Sequence, residues 1–277
     1  MHIGCHVSIR HGYLEAAKSA SAVGARSFQY FPKNPRSLSV KSYDARDAAA
    51  CRIYCQEHQL ISIAHTAYPT NLAVVEPKLY AATVQSVRND LEIADACGSA
   101  GLVVHFGQYK GTDPLRGYQA MIRMVNEILD DWNGDACLLL ENNAGQGGRM
   151  GTTLEELTQV QQLLAAPEKV GFCFDTCHAF ASGMWRGDNW AAVARKMRES
   201  GYFSRLFAVH LNDSVYPTGS YRDRHATIGK GQIGADAIAE VLRTPELALL
   251  PIVLETPKPA GGTHREEIAF VKQLISC

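Results

Sequence analysis

The chain has 277 residues, 46% of them hydrophobic and 20% charged, with a formal net charge of −1. That composition is globular and long enough to bury a large core, and its near-neutral balance argues against a general nucleic-acid binder. No apolar stretch reaches the roughly 18 residues of a membrane span, and the opening MHIGCHVSIRHGY has no signal-peptide pattern, so a cytoplasmic chain without a membrane partner is expected.

HIGCHVS (2–8) reads as a first strand and Leu14–Val23 as the helix after it. SFQYFP (27–32) is followed by the helical pattern Asp44–Gln59, and ISIAH (61–65) by Pro77–Cys97, where the proline suits a first helical turn. GLVVHFG (101–107) precedes Pro114–Asp130, again opened by proline. CLLLENN (137–143) leads to Thr153–Leu164, whose Thr153 and Glu156 have capping-box spacing. VGFCFDTC (170–177) precedes Asn189–Glu199, and LFAVHLND (206–213) precedes Ala235–Leu242. PIVLETP (251–257) precedes Arg265–Leu274, where Thr263 and Glu266 repeat the capping pattern. Gly98, Gly134 and Gly201 stand just past helical segments, where a left-handed residue closes the last turn.

Eight β-then-α units predict parallel strands, because each crossover needs a helix. Closed on themselves they make a single (β/α)8 TIM barrel of the α/β class over 1–277, with its site at the C-terminal face of the strands. A doubly wound open sheet is disfavoured, because no GxGxxG turn follows the first strand. The eight cysteines include no CxxC and mostly sit in apolar runs, so buried free thiols are expected.

The strand ends carry the chemistry. The third strand ends in His65, the fourth in His105, the fifth in Glu141, the seventh in His210 and the eighth in Glu255. The sixth ends in Asp175, with His178 three residues on, and the loop after the seventh adds Asp223 and His225. One histidine at a strand end is ordinarily a hydrogen-bonded core or surface group, and one glutamate a salt-bridge partner. Nine such residues at equivalent places are not, because buried charges must pair or coordinate metal and these strands carry almost no Lys or Arg. His, Asp and Glu without Cys suit Zn²⁺ or Mn²⁺. Nine donors exceed one tetrahedral site and fit three ions, with a bridging carboxylate. Three divalent ions would move the chain from −1 to about +5, which places a positive field at the site itself.

The segments LLENNAGQG (138–147), FCFDTCHAFASG (172–183), VHLNDS…GSYRDRHATIGKGQIG (209–234) and VLETP (253–257) are similar to those of the endonuclease IV family, zinc-dependent apurinic/apyrimidinic (AP) endonucleases of the xylose isomerase-like barrel group. The likeness runs over nearly the whole chain. It implies three zinc ions held by His65, His105, Glu141, Asp175, His178, His210, Asp223, His225 and Glu255, with Glu141 bridging two of them and His178, Asp223 and His225 on the third. It implies hydrolysis 5′ to an abasic site, leaving a 3′-hydroxyl and a 5′-deoxyribose phosphate, with Glu141 and Glu255 as catalytic residues. The partner implied is duplex DNA with abasic or 3′-blocked lesions, met by a monomer. Lys33, Asn34, Arg36 and Tyr68 would enter the DNA at the lesion, and Arg222 and Arg224 would meet phosphates. Where the family usually reads Pro-Gly-Ser after the fourth-strand histidine, this chain reads HFGQYKG, and its first loop reads HVSIRHG in place of a paired glycine; both border the substrate and bear on lesion preference. The competing reading is a metal-dependent sugar isomerase or epimerase of the same barrel group, which needs only one or two ions.

Overall fold

The computed structural model describes residues 1–258 and 262–276. In chain order it contains β1 (His2–His6), α1 (Tyr13–Ala22), β2 (Ser27–Tyr30), α2 (Ala45–Glu57), β3 (Ile61–His65), α3 (Pro77–Ala96), β4 (Gly101–His105), α4 (Pro114–Leu129), β5 (Cys137–Glu141) and α5 (Leu154–Gln162). There follow β6 (Val170–Asp175), α6 (Thr176–Ser182), α7 (Trp190–Glu199), β7 (Leu206–His210), β8 (Asp213–Ser214), β9 (His225–Ala226), α8 (Ala235–Leu242), β10 (Pro251–Leu254) and α9 (Arg265–Ser276). The parallel strands close in the order β1-β10-β7-β6-β5-β4-β3-β2, the expected TIM barrel. No helix among the described residues is long and apolar enough to cross a membrane.

The helices start where side chains satisfy free N–H groups. Asp44 caps α2; Glu76 and Asp113 cap α3 and α4, each followed by the proline at the first turn. Thr153 and Glu156 form the reciprocal capping box on α5. The second such pair does not form: Thr263 Oγ1 accepts from Arg265 N at 3.3 Å. Past α4 the left-handed residue is Asp131 (φ 60°), not Gly134, because the helix ends at Leu129.

The barrel interior explains where the site lies. Ile63, Val103, Leu139, Cys173, Ala208 and Val253, one from each of six strands, form an apolar cluster of their own inside the barrel. The alternate residues, such as Phe28, Ala64, Leu102, Leu138, Phe172 and Ile252, point outward into the main core beneath the helices. On β1 and β2 the same inner level is Gly4 and Ser27. A Cβ on Gly4 would stand 1.6 Å from the Ser27 carbonyl oxygen, so only glycine lets these strands approach. Side chains repeat every second residue along a strand. The next inward residue above this floor is therefore His6, Gln29, His65, His105, Glu141, Asp175, His210 or Glu255, one per strand.

Seven of the eight expected strands overran this ring by two or three residues. The ladder stops there because the backbone takes other partners: Glu255 N donates to Asn212 Oδ1 at 2.9 Å, and Asp175 caps a helix. Thr176 and Cys177, expected in the strand, begin α6. Asp213, expected in the seventh strand, joins a two-stranded antiparallel ribbon with the chain that follows Asp223.

Candidate metal centre

The local fold answers why Asp175 and His178 are three apart. Asp175 is the N-cap of α6 and its Oδ1 accepts from His178 N at 2.7 Å, so the first helical turn swings the imidazole over the ring. The ribbon brings Asp223 and His225 down from the opposite side. All nine expected ligands converge on one mouth, and a cavity of about 480 Å³ opens above them.

The donors fall into three groups: His65, His105 and Glu141; Glu141, Asp175, His210 and Glu255; and His178, Asp223 and His225. Glu141 belongs to two of them through different oxygens. Its Oε2 is 3.4 Å from His65 Nε2 and 3.4 Å from His105 Nε2, while its Oε1 is 2.8 Å from His210 Nδ1. His178 Nε2 stands 3.2 Å from Asp223 Oδ2, His225 Nε2 3.4 Å from Asp223 Oδ1, and His210 Nδ1 3.2 Å from Glu255 Oε2. Two ligands about 2.0–2.1 Å from one tetrahedral zinc stand about 3.3–3.4 Å apart. Glu141 Oε2, His178 Nε2 and His225 Nε2 are buried and have no hydrogen-bond partner. Orphaned donors at ligand–ligand spacing fit divalent cations, and a carboxylate with one oxygen in each of two groups fits a bridge. Cys177 also lies near Asp175 and His225. Its thiol donates to the Arg224 carbonyl at 3.8 Å, and burial pushes it up to about 12, so it is a protonated thiol.

The electrostatics are those of a crowded anionic pocket. Burial opposes ionisation of Glu141, but His210 and His105 outweigh it and hold the carboxyl well below its usual range. Glu255 is held at about 2 against burial, chiefly by His210. Burial disfavours the imidazolium of His178, yet Asp175 and Asp223 raise it well above its ordinary value; His210 is likewise raised against burial, by Cys173, Glu255 and Glu141 beside it.

A second tier of groups aims the donors. His65 Nδ1 donates to Thr66 O at 2.8 Å and His178 Nδ1 to Asn142 O at 2.9 Å, which leaves each Nε2 facing the pocket. Asn212 Nδ2 donates to Asp175 Oδ2 at 2.7 Å, and Asn142 Oδ1 accepts from Asp175 N at 2.8 Å. Asp213, fully buried, accepts from Ser214, Gly229, Gly231, Ile233 and Gly234 N and so clamps the loop beyond the ribbon. Asn142 follows the strand-end Glu141 and Asn212 stands two places past His210, so both lie beside predicted ligands in the sequence. The clamp has no such mark there, since its partners are backbone groups up to 21 residues away.

The residues expected to meet DNA divide. Tyr68 is 66% exposed at the mouth, edge-on to Phe31 with centroids 5.1 Å apart, and its N–H donates to Pro35 O at 2.8 Å, tying two rim loops together. Arg36 and Asn34 are exposed beside it, with Asn34 Oδ1 accepting from Arg36 N. Arg224 lines the cavity, and Arg222 lies 3.7 Å over the Tyr216 ring. Lys33 is a correction. Its side chain is 3% exposed, paired with the fully buried Asp90 at 3.0 Å and donating to Ser86 O at 2.7 Å. It turns back into α3 and anchors the loop from beneath.

A closed eight-stranded barrel with His, Asp and Glu gathered at its C-terminal mouth defines a xylose isomerase-like TIM barrel, and the model of that family matches residues 17–274. The chain is 42% identical over 275 residues to the probable endonuclease 4 of Symbiobacterium thermophilum, covering 99% of this chain and 100% of that one. It is 35% identical to the probable endonuclease 4 of Heliobacterium modesticaldum, covering 99% of each. The crystal structure of endonuclease IV from Thermus thermophilus superposes with a TM-score of 0.85 at 30% identity, covering 100% of this chain and 98% of that one. The chain belongs to the endonuclease IV family.

Proposed function

We propose that this protein is an AP endonuclease that hydrolyses the phosphodiester 5′ to an abasic site in duplex DNA, using three zinc ions. The observation that carries the reading is Glu141, with one oxygen toward His65 and His105 and the other toward His210, above a third group built by His178, Asp223 and His225. His65, His105 and Glu141 would hold one ion, Glu141, Asp175, His210 and Glu255 a second, and His178, Asp223 and His225 a third. When bound, such ions act as Lewis acids on a phosphoryl oxygen and lower the pKa of water to about 7.

The chain's own residues supply the rest. Glu255, 19% exposed, is the carboxylate of its group that reaches the open mouth, where it can accept a proton from water entering toward phosphorus. Tyr68 and Phe31 offer an aromatic wall that excludes water and replaces lost stacking where the base is missing. Arg224 at the cavity wall positions a phosphate without reading sequence. The barrel group also contains sugar epimerases; a D-tagatose 3-epimerase-like protein superposes at a TM-score of 0.71 with 19% identity, which is a likeness of fold. The third donor group has no task in a one- or two-ion epimerase. The test is incubation with a duplex bearing one tetrahydrofuran abasic analogue, with and without chelator. Chelator-sensitive cleavage 5′ to the analogue supports the reading; an intact duplex at full zinc loading overturns it.

A further inference from the structure

The inner ring has eight positions, and six of them are the expected strand-end ligands. Of the other two, His6 on β1 and Gln29 on β2, Gln29 is fully buried and touches the metal centre at both ends of its amide. Its Oε1 lies 2.7 Å from His210 Nε2. Its Nε2 lies 2.6 Å from Glu255 Oε1 and 3.2 Å from His6 Nδ1. The orientation of the amide follows from these partners. A carboxylate can only accept, so the NH₂ end must face Glu255, and the oxygen must face His210.

We propose that Gln29 is a positioning residue of the metal centre, setting the tautomer of His210 and the rotamer of Glu255 with a single amide. Because Gln29 Oε1 cannot donate, His210 must carry its proton on Nε2. That leaves Nδ1 as the ligand atom, turned toward Glu141 Oε1 at 2.8 Å and Glu255 Oε2 at 3.2 Å. Two further ring nitrogens are fixed in the same way, but by backbone: Thr66 O for His65 and Asn142 O for His178. Only for His210 among these three is the partner a side chain, so only there can the partner be exchanged by mutation. The amide also holds one oxygen of Glu255, which leaves Oε2 for the cation group. The strand supplies the rigidity: Gln29 sits opposite His6 in the β1–β2 ladder and opposite Ile63 in β2–β3, so its Cβ is fixed over the floor. The inference rests on the metal-centre reading and concerns one of its three groups.

The tests use the full chain. In zinc-loaded wild-type protein, ¹⁵N-detected imidazole spectra are expected to show His210 protonated on Nε2; protonation on Nδ1 overturns the proposal without any mutation. Gln29→Met keeps the size of the side chain and removes the hydrogen bonds to His210, Glu255 and His6. Zinc affinity of one ion, measured by chelator competition, is expected to fall 10–100-fold, the usual cost of losing such a partner, while the other two are unchanged. The visible spectrum of the Co²⁺-loaded variant is expected to change in intensity or position. Gln29→Glu keeps the acceptor for His210 but sets a second carboxylate against Glu255, so it is expected to keep the Nε2–H tautomer and still lose affinity. Unchanged zinc affinity and cobalt spectrum in both variants overturn the role of Gln29 alone; a wild-type protein that binds no divalent cation overturns the underlying reading as well.

Discussion

Lys33→Met tests the placement of a residue that the sequence puts on the DNA face and the structure puts in the core. The wild-type ammonium lies 3.0 Å from Asp90 Oδ1, with side-chain exposures of 3% and 0%, and also satisfies Ser86 O. Removing one partner of such a buried pair costs about 3–5 kcal/mol, because the other charge is stranded. Burial already pushes Asp90 up to about 6 against the pull of Lys33. Without Lys33 the carboxyl takes up a proton near neutral pH, which limits the loss to the lower end, about 3 kcal/mol. For a chain of 277 residues an unfolding entropy of about 2.1 cal/mol/K per residue turns this into a Tm lower by roughly 5 °C. Differential scanning calorimetry measures the Tm, and fluorescence anisotropy on an abasic duplex over a salt series measures binding. A phosphate contact contributes about 0.9 to the slope of log K against log salt; the slope is expected to stay as in the wild type. An unchanged Tm with a slope lowered by about one would mean that Lys33 points at DNA, and would refute the argument from burial.

Tyr68→Ala leaves Tm unchanged, since the ring is 66% exposed, and lowers affinity for an abasic duplex by about 1–3 kcal/mol, the range for losing an aromatic platform; anisotropy checks it. The metal-free protein loses stability as pH rises. His178 and His210 have folded values raised against burial, His178 by Asp175 and Asp223 and His210 by Cys173, Glu255 and Glu141, so their contribution is complete below the ordinary histidine range and disappears as pH climbs through the raised values. Zinc-loaded protein lacks this dependence, and paired melting curves at several pH values separate the two. Asp213→Ala releases four backbone N–H groups beyond the ribbon, besides that of Ser214; faster amide exchange over 227–234 is expected, with weaker zinc binding by the group that includes Asp223 and His225. Glu255→Gln removes most turnover while binding to the duplex survives, which a single-turnover assay beside anisotropy resolves.

The fold was legible because strand period and helix caps are local. On six of the eight strands the inward residue of the ring is two places beyond an apolar floor residue, so a polar donor at the end of an apolar run marks the barrel mouth even without coordinates. The convergence of six of the nine donors follows from that one regularity; His178 comes from the first turn of α6, and Asp223 and His225 come from the ribbon and the loop before it. What failed was non-local or concealed by context. Lys33 sits in a loop among polar residues and reads as exposed; its partner Asp90 is on α3, 57 positions away, and no spacing rule links them. Gln29 lies between Phe28 and Tyr30 and reads as one polar residue in a core strand, although the same two-residue rule would have put it in the ring. α6 was missed because FCFDTCHAF continues apolar past Asp175, and only the cap formed by Asp175 with His178 N ends the strand. The ribbon of β8 and β9 depends on Asp213 gathering distant N–H groups, which leaves no periodic trace.

The most direct measurement is elemental analysis of the full chain after equilibration with zinc and removal of loosely held ions, read as metal per protein and joined to anomalous diffraction at the zinc edge. The account predicts close to three ions per chain, with density between His65, His105 and Glu141, between Glu141, Asp175, His210 and Glu255, and between His178, Asp223 and His225. One ion or none, with these side chains paired to each other and to solvent, would contradict it.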